Sequence, residues 1–338
     1  MAFSSPSSSG KGPIFVSGAD GDKGLAIVQQ LVQLPEKHSH LTRYPVSAGL
    51  ADPNTARAKL LQAIGAKLVA FDIFNHPEAA VDALQGVAKL CLLIDPLSER
   101  MKRSNAFHYG KAFIDAAKQA NVEHIIFLTP FSPLDPVPAA LLDPTSYRSQ
   151  FMKIESYLWS QFDNNRITIL RYPGLLHQHL LVFRKYIAEH NAFPLPDKHH
   201  EITVESSNML DIARATAFIA HSPTIRHSRN AYKITGPQLL TLQEVSERVL
   251  RGLQRDIAIN LIDDIDTLKK ILCDCVGNED HVVFMLEMWG LQQQKVSGRR
   301  FEVTRDLEAL TGQSGKTLNE YFEEDGVREA FATFPSVA

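Results

Sequence analysis

Gly18, Gly21 and Gly24 stand at the spacing G-x-x-G-x-x-G directly after the apolar run Ile14-Phe15-Val16. Glycines at such a corner let the backbone turn sharply and approach an anion. A helix that follows offers its unpaired N-terminal N–H groups to a phosphate. Asp20 and Lys23 lie among the glycines, so one loop carries a carboxylate and an ammonium. The corner suits a dinucleotide; the alternative is that its glycines serve tight packing only.

Other chemistry-bearing side chains fall at the ends of apolar runs. Asp95 follows Leu92-Leu93-Ile94 and precedes Pro96. It reads as a partly buried acid or base, or as a turn former. Thr129 could bond a substrate oxygen or simply end a strand. Tyr147 is a candidate proton donor or substrate contact, against packing under the proline-rich stretch that precedes it. His177 and His179 titrate near neutrality in the usual case and are natural proton shuttles, although at helical spacing only one of them faces a given pocket. The sequence has no H-x-x-x-H metal pattern and no G-x-S-x-G elbow.

Positioning these groups takes alternating strands and helices. From residue 24 onward, Leu25, Ile27, Val28, Leu31 and Val32 repeat at helical spacing. Strands are expected at 44–50, 67–71, 88–94, 124–129 and 166–171. Helices are expected from Asp52-Pro53-Asn54, with Asp52 as cap, and at 78–84, 105–120 and 146–162. This rhythm predicts an α/β fold with a doubly wound parallel sheet, Rossmann-like, with right-handed crossovers. Ligands of such sheets bind beyond the carboxyl ends of the strands. Functional groups are therefore expected at 18–24, 50–52, Asp72, 95–96, 129–131 and 173–179.

The second half is less regular. It predicts a helix at 175–189, a strand at 201–204, a helix at 208–220 and a strand at 231–235. A helix then runs over 241–251, with Thr241 and Glu244 at capping-box spacing. A strand at 257–262 and helices at 265–275 and 280–293 follow. The organisation expected is a disordered tail over 1–12, a dinucleotide-binding domain over 13–172, and a smaller C-terminal α+β lobe over 173–338 that encloses a pocket.

The 338 residues are 44% hydrophobic and 22% charged, with net charge -3. That balance gives no reason to expect nucleic acid as a partner. No apolar run approaches the ~20 residues of a membrane span. The Ser/Gly-rich start lacks a signal peptide's apolar core. Cys91, Cys273 and Cys275 are too few for a disulfide framework, which suggests a reducing, cytoplasmic setting.

Several segments together resemble the NmrA-like family of atypical short-chain dehydrogenases/reductases. They are G18-A-D-G-D-K-G24, A66-K-L-V-A-F-D72, N121-V-E-H-I-I-F-L-T129, K153-I-E-S-Y-L158 and I167-T-I-L-R171. The series continues with M209-L-D-I-A-R-A215, Y232-K-I-T-G-P-Q-L-L-T-L-Q-E244 and F301-E-V-T-R-D-L-E-A-L-T-G312. The resemblance runs from Pro13 to about Phe322. It implies a Rossmann-like fold and NAD(P)(H) as cofactor, held at Gly18, Asp20, Gly21, Lys23, Gly24, Asp52 and Asp72. It leaves the reaction open, because the family mixes reductases, redox-neutral biosynthetic enzymes and non-catalytic sensors.

Three departures from the family bear on function. Asp20 replaces a usual Thr or Ser and sets a carboxylate near the cofactor phosphates, partly offset by Lys23. Ala51 stands where many relatives pair an Arg with the 2′-phosphate of NADP, so Asp20 and Ala51 both count against NADP. Asp52, close by, could bond ribose hydroxyls instead. Phe151 stands where relatives with a catalytic Lys carry it; Lys153 is two residues on and about 200° round the helix. Kept glycines beside lost Lys and Arg favour redox-neutral cyclisation or isomerisation of a small, largely apolar organic molecule, with Tyr147, Asp95, His177, Thr129 and Lys153 as candidate groups. The alternatives are an NAD(P)H-dependent reductase of a ketone, enone or imine, and a nucleotide-sensing regulator.

Overall fold

A computed structural model describes residues 11–133, 143–172, 175–196, 203–254, 256–292 and 301–332 of the chain. The predicted tail over 1–12 lies largely outside them, as do Pro173 and part of the proline-rich stretch before Tyr147.

The strand–helix rhythm of the first half is present throughout. β1 (Ile14–Val16) leads into α1 (Asp22–Lys37), whose Ala26, Ile27, Val28, Leu31 and Leu34 are buried. Then come β2 (Val46–Leu50), α2 (Ala56–Ala63), β3 (Lys67–Ala70), α3 (Ala79–Ala83) and β4 (Lys89–Leu92). α4 (Ala106–Gln119), β5 (His124–Thr129), α5 (Tyr147–Gln161) and β6 (Ile167–Arg171) complete the series. Thr55, not Asp52, caps α2 by accepting from the Ala58 N–H at 3.1 Å. Asp52 sits three residues earlier, and its Oδ1 accepts from the Asn54 N–H at 2.8 Å, so it forms a turn before the helix.

The chain continues through β7 (Leu175–Leu176), a 3₁₀ turn over His177–Phe183, α6 (Arg184–His190), β8 (Ala192–Pro196) and β9 (Thr203–Ser207). The expected single helix at 175–189 is therefore a strand, a 3₁₀ turn and a short helix. α7 (Met209–His221), α8 (Thr224–His227), β10 (Ala231–Lys233), β11 (Leu239–Thr241) and α9 (Leu242–Leu253) follow. Thr241 and Glu244 form the anticipated capping box of α9. β12 (Ala258–Ile262), α10 (Ile265–Val276), α11 (Glu279–Gln292), α12 (Asp306–Thr311), α13 (Leu318–Phe322) and α14 (Asp325–Ala332) close the described chain.

The main sheet has the order β10-β6-β5-β4-β1-β2-β3. β1 through β6 pair in parallel, with Ile14 beside both Val46 and Lys89, and Thr129 beside Arg171. This is a doubly wound α/β sheet. Its order reverses at β1, which has β2 on one side and β4 on the other. The crevice at that switch point lies beyond the carboxyl ends of β1 and β4.

Two compact units divide the chain. The first holds the described residues of Met1–Thr129, Ser149–Arg171 and Ile212–Tyr232. The second holds those of Pro130–Arg148, Tyr172–Asp211 and Lys233–Ala338. The second carries two small sheets, β11-β9-β7 and β12-β8.

Strands β4 and β5 are not purely apolar at their amino ends. Lys89 and His124 are neighbours in register there, and both are fully buried. The Lys89 ammonium donates to the Ser222 carbonyl, and desolvation brings its pKa down to about 8. His124 Nε2 lies 2.8 Å from Thr168 Oγ1, which donates to the His227 carbonyl at 2.7 Å. Cys91 is buried in β4, where desolvation pushes its thiol up to about 12 and leaves it unreactive. Among the described residues, no helix is long and apolar enough to cross a membrane.

Candidate active site

Gly18 leaves β1 with φ +62°, a conformation that suits a residue without Cβ. Gly24, one turn into α1, lies so close to it that an added Cβ would stand 2.2 Å from the Gly18 carbonyl oxygen. Strand end and helix start are thus in backbone contact. Gly21 is the N-cap of α1 and has no side chain with which to cap it, so the first-turn N–H groups gain no side-chain acceptor from that position. The corner is built as an anion cradle requires.

Carboxylates surround the cradle. Asp95, beyond β4, is nearly buried and pairs with the Lys23 ammonium at 3.0 Å. Its Oδ1 also accepts from the Leu97 N–H at 3.2 Å, so the turn-forming role expected of it is present as well. Its Oδ2 stands 2.6 Å from where a Gly21 Cβ would be. Lys23 therefore answers Asp95, where the sequence expected it to offset Asp20. Asp20 keeps solvent contact, yet the protein around it desolvates its carboxyl enough to raise it above its ordinary value. Hydrogen bonds from the N–H groups of Asp20 and Ala51 act in the other direction, and the Asp95 charge adds to the rise.

From this corner an open cleft runs along the ends of β1, β2 and β3. It is lined by Gly18, Asp20, Gly49, Leu50, Ala51, Phe71, Ile73, Phe74, Asp95, Ser98, Arg100, Tyr109 and Phe113. Phe71, Tyr109 and Phe113 belong to one aromatic cluster, with centroids 5.1 to 5.9 Å apart between Phe113 and the other two. The Tyr109 hydroxyl is desolvated, and burial raises its pKa.

The cleft gathers the expected positions 18–24, 50–51 and 95, but neither Asp52 nor Asp72 lines it. Asp72 is held by its own turn and by an arginine. Oδ1 accepts from the Phe74 N–H at 3.1 Å, and Oδ2 accepts from Asn75 Nδ2 at 2.8 Å and from Arg100 Nη2 at 2.6 Å. The Arg100 guanidinium holds the Asp72 carboxyl down at about 2. Arg100, Tyr109 and Phe74 were not anticipated. The signal available for Arg100 was its place in the loop after β4, at the sheet's functional edge.

The remaining candidates lie elsewhere. Thr129 is the buried last residue of β5. Phe151 is fully buried and stacks on Phe127, 6.2 Å away at 24°. Lys153 is exposed, as its helix phase required. Glu155 is gripped by both arms of Arg171, Oε1 at 2.6 Å and Oε2 at 2.9 Å.

Tyr147 opens α5 inside the second unit. Its ring meets Phe284 edge-on at 5.5 Å, and its N–H and that of Arg148 donate to the two oxygens of Glu287. A buried carboxylate from α11 thus caps α5. His177 is buried beside Tyr321, and desolvation brings its pKa down to about 3. His179 accepts from the Leu176 N–H at 3.2 Å and so stabilises its own turn.

This fold and cradle define a dinucleotide-binding α/β protein. A family model described as the NmrA-like family matches residues 10–322, and the chain belongs to that family. It is 32% identical over 119 residues to an NmrA-like family domain-containing oxidoreductase of Penicillium ochrochloron, a stretch covering 34% of this chain and 33% of that protein. It is 26% identical over 244 residues to an NAD(P)H azoreductase of Xenophilus azovorans, covering 72% of this chain and 75% of that one.

Among solved structures, a triphenylmethane reductase of Citrobacter sp. superposes with TM-score 0.71 at 18% identity, over 95% of this chain and 100% of that one. An NADPH-dependent quinone oxidoreductase of Escherichia coli, complexed with NADPH, gives 0.69 at 23%, over 91% and 98%. NmrA, a negative transcriptional regulator in complex with NAD, gives 0.67 at 16%, over 95% and 97%. At these identities the likeness is one of fold.

Proposed function

We propose that the chain is an NAD(P)(H)-dependent reductase of a small organic acceptor. The observation that carries this reading is the contact of Gly24 with the Gly18 carbonyl, at the head of an aromatic-walled cleft. A glycine corner kept only for packing would not need an uncapped helix start opening into such a cleft. The first-turn N–H groups of α1 would hold the pyrophosphate, and the cleft from Leu50 to Tyr109 the adenosine half. The bound nicotinamide supplies the hydride, so the protein's tasks are positioning and exclusion of water.

That division of labour suits this chain. Phe151 stands at the position matched to the family's lysine, and a hydride acceptor such as a quinone, azo or enone compound can take its proton from water. The names of the curated relatives, an azoreductase and an oxidoreductase, support the same reaction class. Redox-neutral cyclisation, expected from the missing Lys and Arg, has no comparable support. The acid/base groups it needs were sought in Tyr147, which is fully buried against Phe284, in Asp95, which is tied to Lys23, and in His177, whose pKa burial lowers. The regulator reading keeps one supporting feature: the inert Phe127–Phe151 stack is as compatible with sensing a dinucleotide as with using it.

The test is a calorimetric titration with NADH and NADPH, then a panel of quinones, azo dyes and enones followed by loss of reduced-nicotinamide absorbance. Consumption of one nucleotide per quinone or enone reduced, and of two per azo bond cleaved to amines, is expected. Binding without consumption across the panel would move the assignment to the regulator. No binding would reject both.

A further inference from the structure

Asp20 and Ala51 come from different ends of the crevice's sequence, one from the glycine loop and one from the residue after β2, and they line the same cleft. The Ala51 backbone N–H lies on the Asp20 side of this lining and favours the charged form of its carboxyl. A negative oxygen therefore sits at the carboxyl end of β2, although β2 itself is followed by a residue without a polar side chain. In folds of this type the end of the second strand receives the adenosine ribose. An acidic side chain there accepts from the ribose 2′-hydroxyl, and an arginine there accommodates a 2′-phosphate.

Arg100 is the one guanidinium among the residues lining the cleft. It is committed to Asp72 at 2.6 Å and lies over the Phe74 ring at 5.7 Å. Lys23, the other cation near the corner, is held by Asp95 at 3.0 Å. Counting Asp20, Asp95, Asp72, Lys23 and Arg100, three carboxylates face two cations, and Asp20 is the carboxylate outside these two pairs. Asp52, the acid nearest β2 in sequence, points into its own turn instead.

We propose that Asp20 is the ribose acceptor of this protein and makes it select NAD(H) over NADP(H), resting on the dinucleotide reading above. The carboxylate accepts from the ribose hydroxyls of NADH. It repels a 2′-phosphate, which brings nearly two further negative charges to the same spot. The selecting acid thus comes from the phosphate loop, thirty-odd residues before its usual place in the chain.

Calorimetric Kd values for NADH and NADPH on the full chain test this. Wild type should bind NADH at least about tenfold more tightly than NADPH. Asp20→Asn keeps an oxygen for the Ala51 amide and removes the charge. It should tighten NADPH by about tenfold and weaken NADH by a few fold, so that the preference narrows or reverses. Asp20 is exposed, so the variant should fold, and circular dichroism checks that it does. Equal or tighter NADPH binding by wild type would overturn the proposal, as would an unchanged NADH-to-NADPH ratio in Asp20→Asn. A selective loss of NADPH affinity in Arg100→Gln would overturn it too, by giving the phosphate to Arg100. These results leave dinucleotide binding itself intact; failure of both nucleotides to bind rejects the underlying reading as well.

Discussion

Lys23 and Asp95 meet at 3.0 Å with side chains only 4% and 7% exposed, so the charges at the switch point of the sheet are paired inside the protein. A buried pair adds little net stability, but removing one partner leaves the other charge desolvated and costs about 3–5 kcal/mol. Asp95→Ala should therefore lower the urea midpoint sharply. Equal stability of wild type and variant in urea melts would show that the pair does not bear on folding.

The glycine corner makes a second prediction. An alanine at position 24 would place Cβ 2.2 Å from the Gly18 oxygen and 2.6 Å from the Ala19 Cα, both backbone atoms that cannot swing away. Gly24→Ala should lower stability by about 1–3 kcal/mol and abolish dinucleotide binding. Gly290, inside α11, meets nothing within 4 Å, and Gly290→Ala should raise stability by about 0.5–1 kcal/mol. Thermal melts of the two variants should move in opposite directions.

Phe151→Lys tests the position matched to the family's catalytic lysine. The side chain is fully buried against Phe127, so an ammonium there has no water. The variant should lose about 3 kcal/mol or more and show no reductase activity beyond wild type. A stable variant with a raised turnover would mean that this position faces the acceptor.

Acid sensitivity follows from buried histidines. His177 titrates at about 3 and His227 at about 4 when folded, against 6.5 in the unfolded chain, in each case chiefly through desolvation. Between those values the unfolded state binds the proton and the folded state does not. Their stabilisation is complete above pH 6.5 and is lost as pH falls toward 4 and 3, at up to about 1.4 kcal/mol per pH unit for each. Urea midpoints should drop between pH 7 and pH 4.5, and His177→Gln should flatten that dependence. A midpoint independent of pH over this range would refute the assignment.

Much of the fold was legible in the residues because its signals are local. Ile14-Phe15-Val16 followed by three spaced glycines specifies a strand, a turn and a helix within about twenty positions. The alternation of apolar runs and helical periodicity then gives a parallel sheet. Thr241 with Glu244 is a cap that needs no tertiary partner. The second unit was read less well: β7, β8 and β11 are strands of two to five residues whose partners lie far off in sequence, and their composition does not distinguish them from loop or helix.

What the sequence by itself determined is the cradle, since glycine conformational freedom and strand-to-helix order are properties of a short segment. What only the tertiary structure decided is the charge of the cleft. Lys23 and Asp95 are 72 positions apart and are brought together because β1 and β4 are parallel neighbours. Arg100 reaches Asp72 across the same edge, and Asp20 meets the Ala51 amide because β2 lies on the other side of β1. Electrostatic partners are set by distance in space and by desolvation, and neither is written in the spacing of residues along the chain.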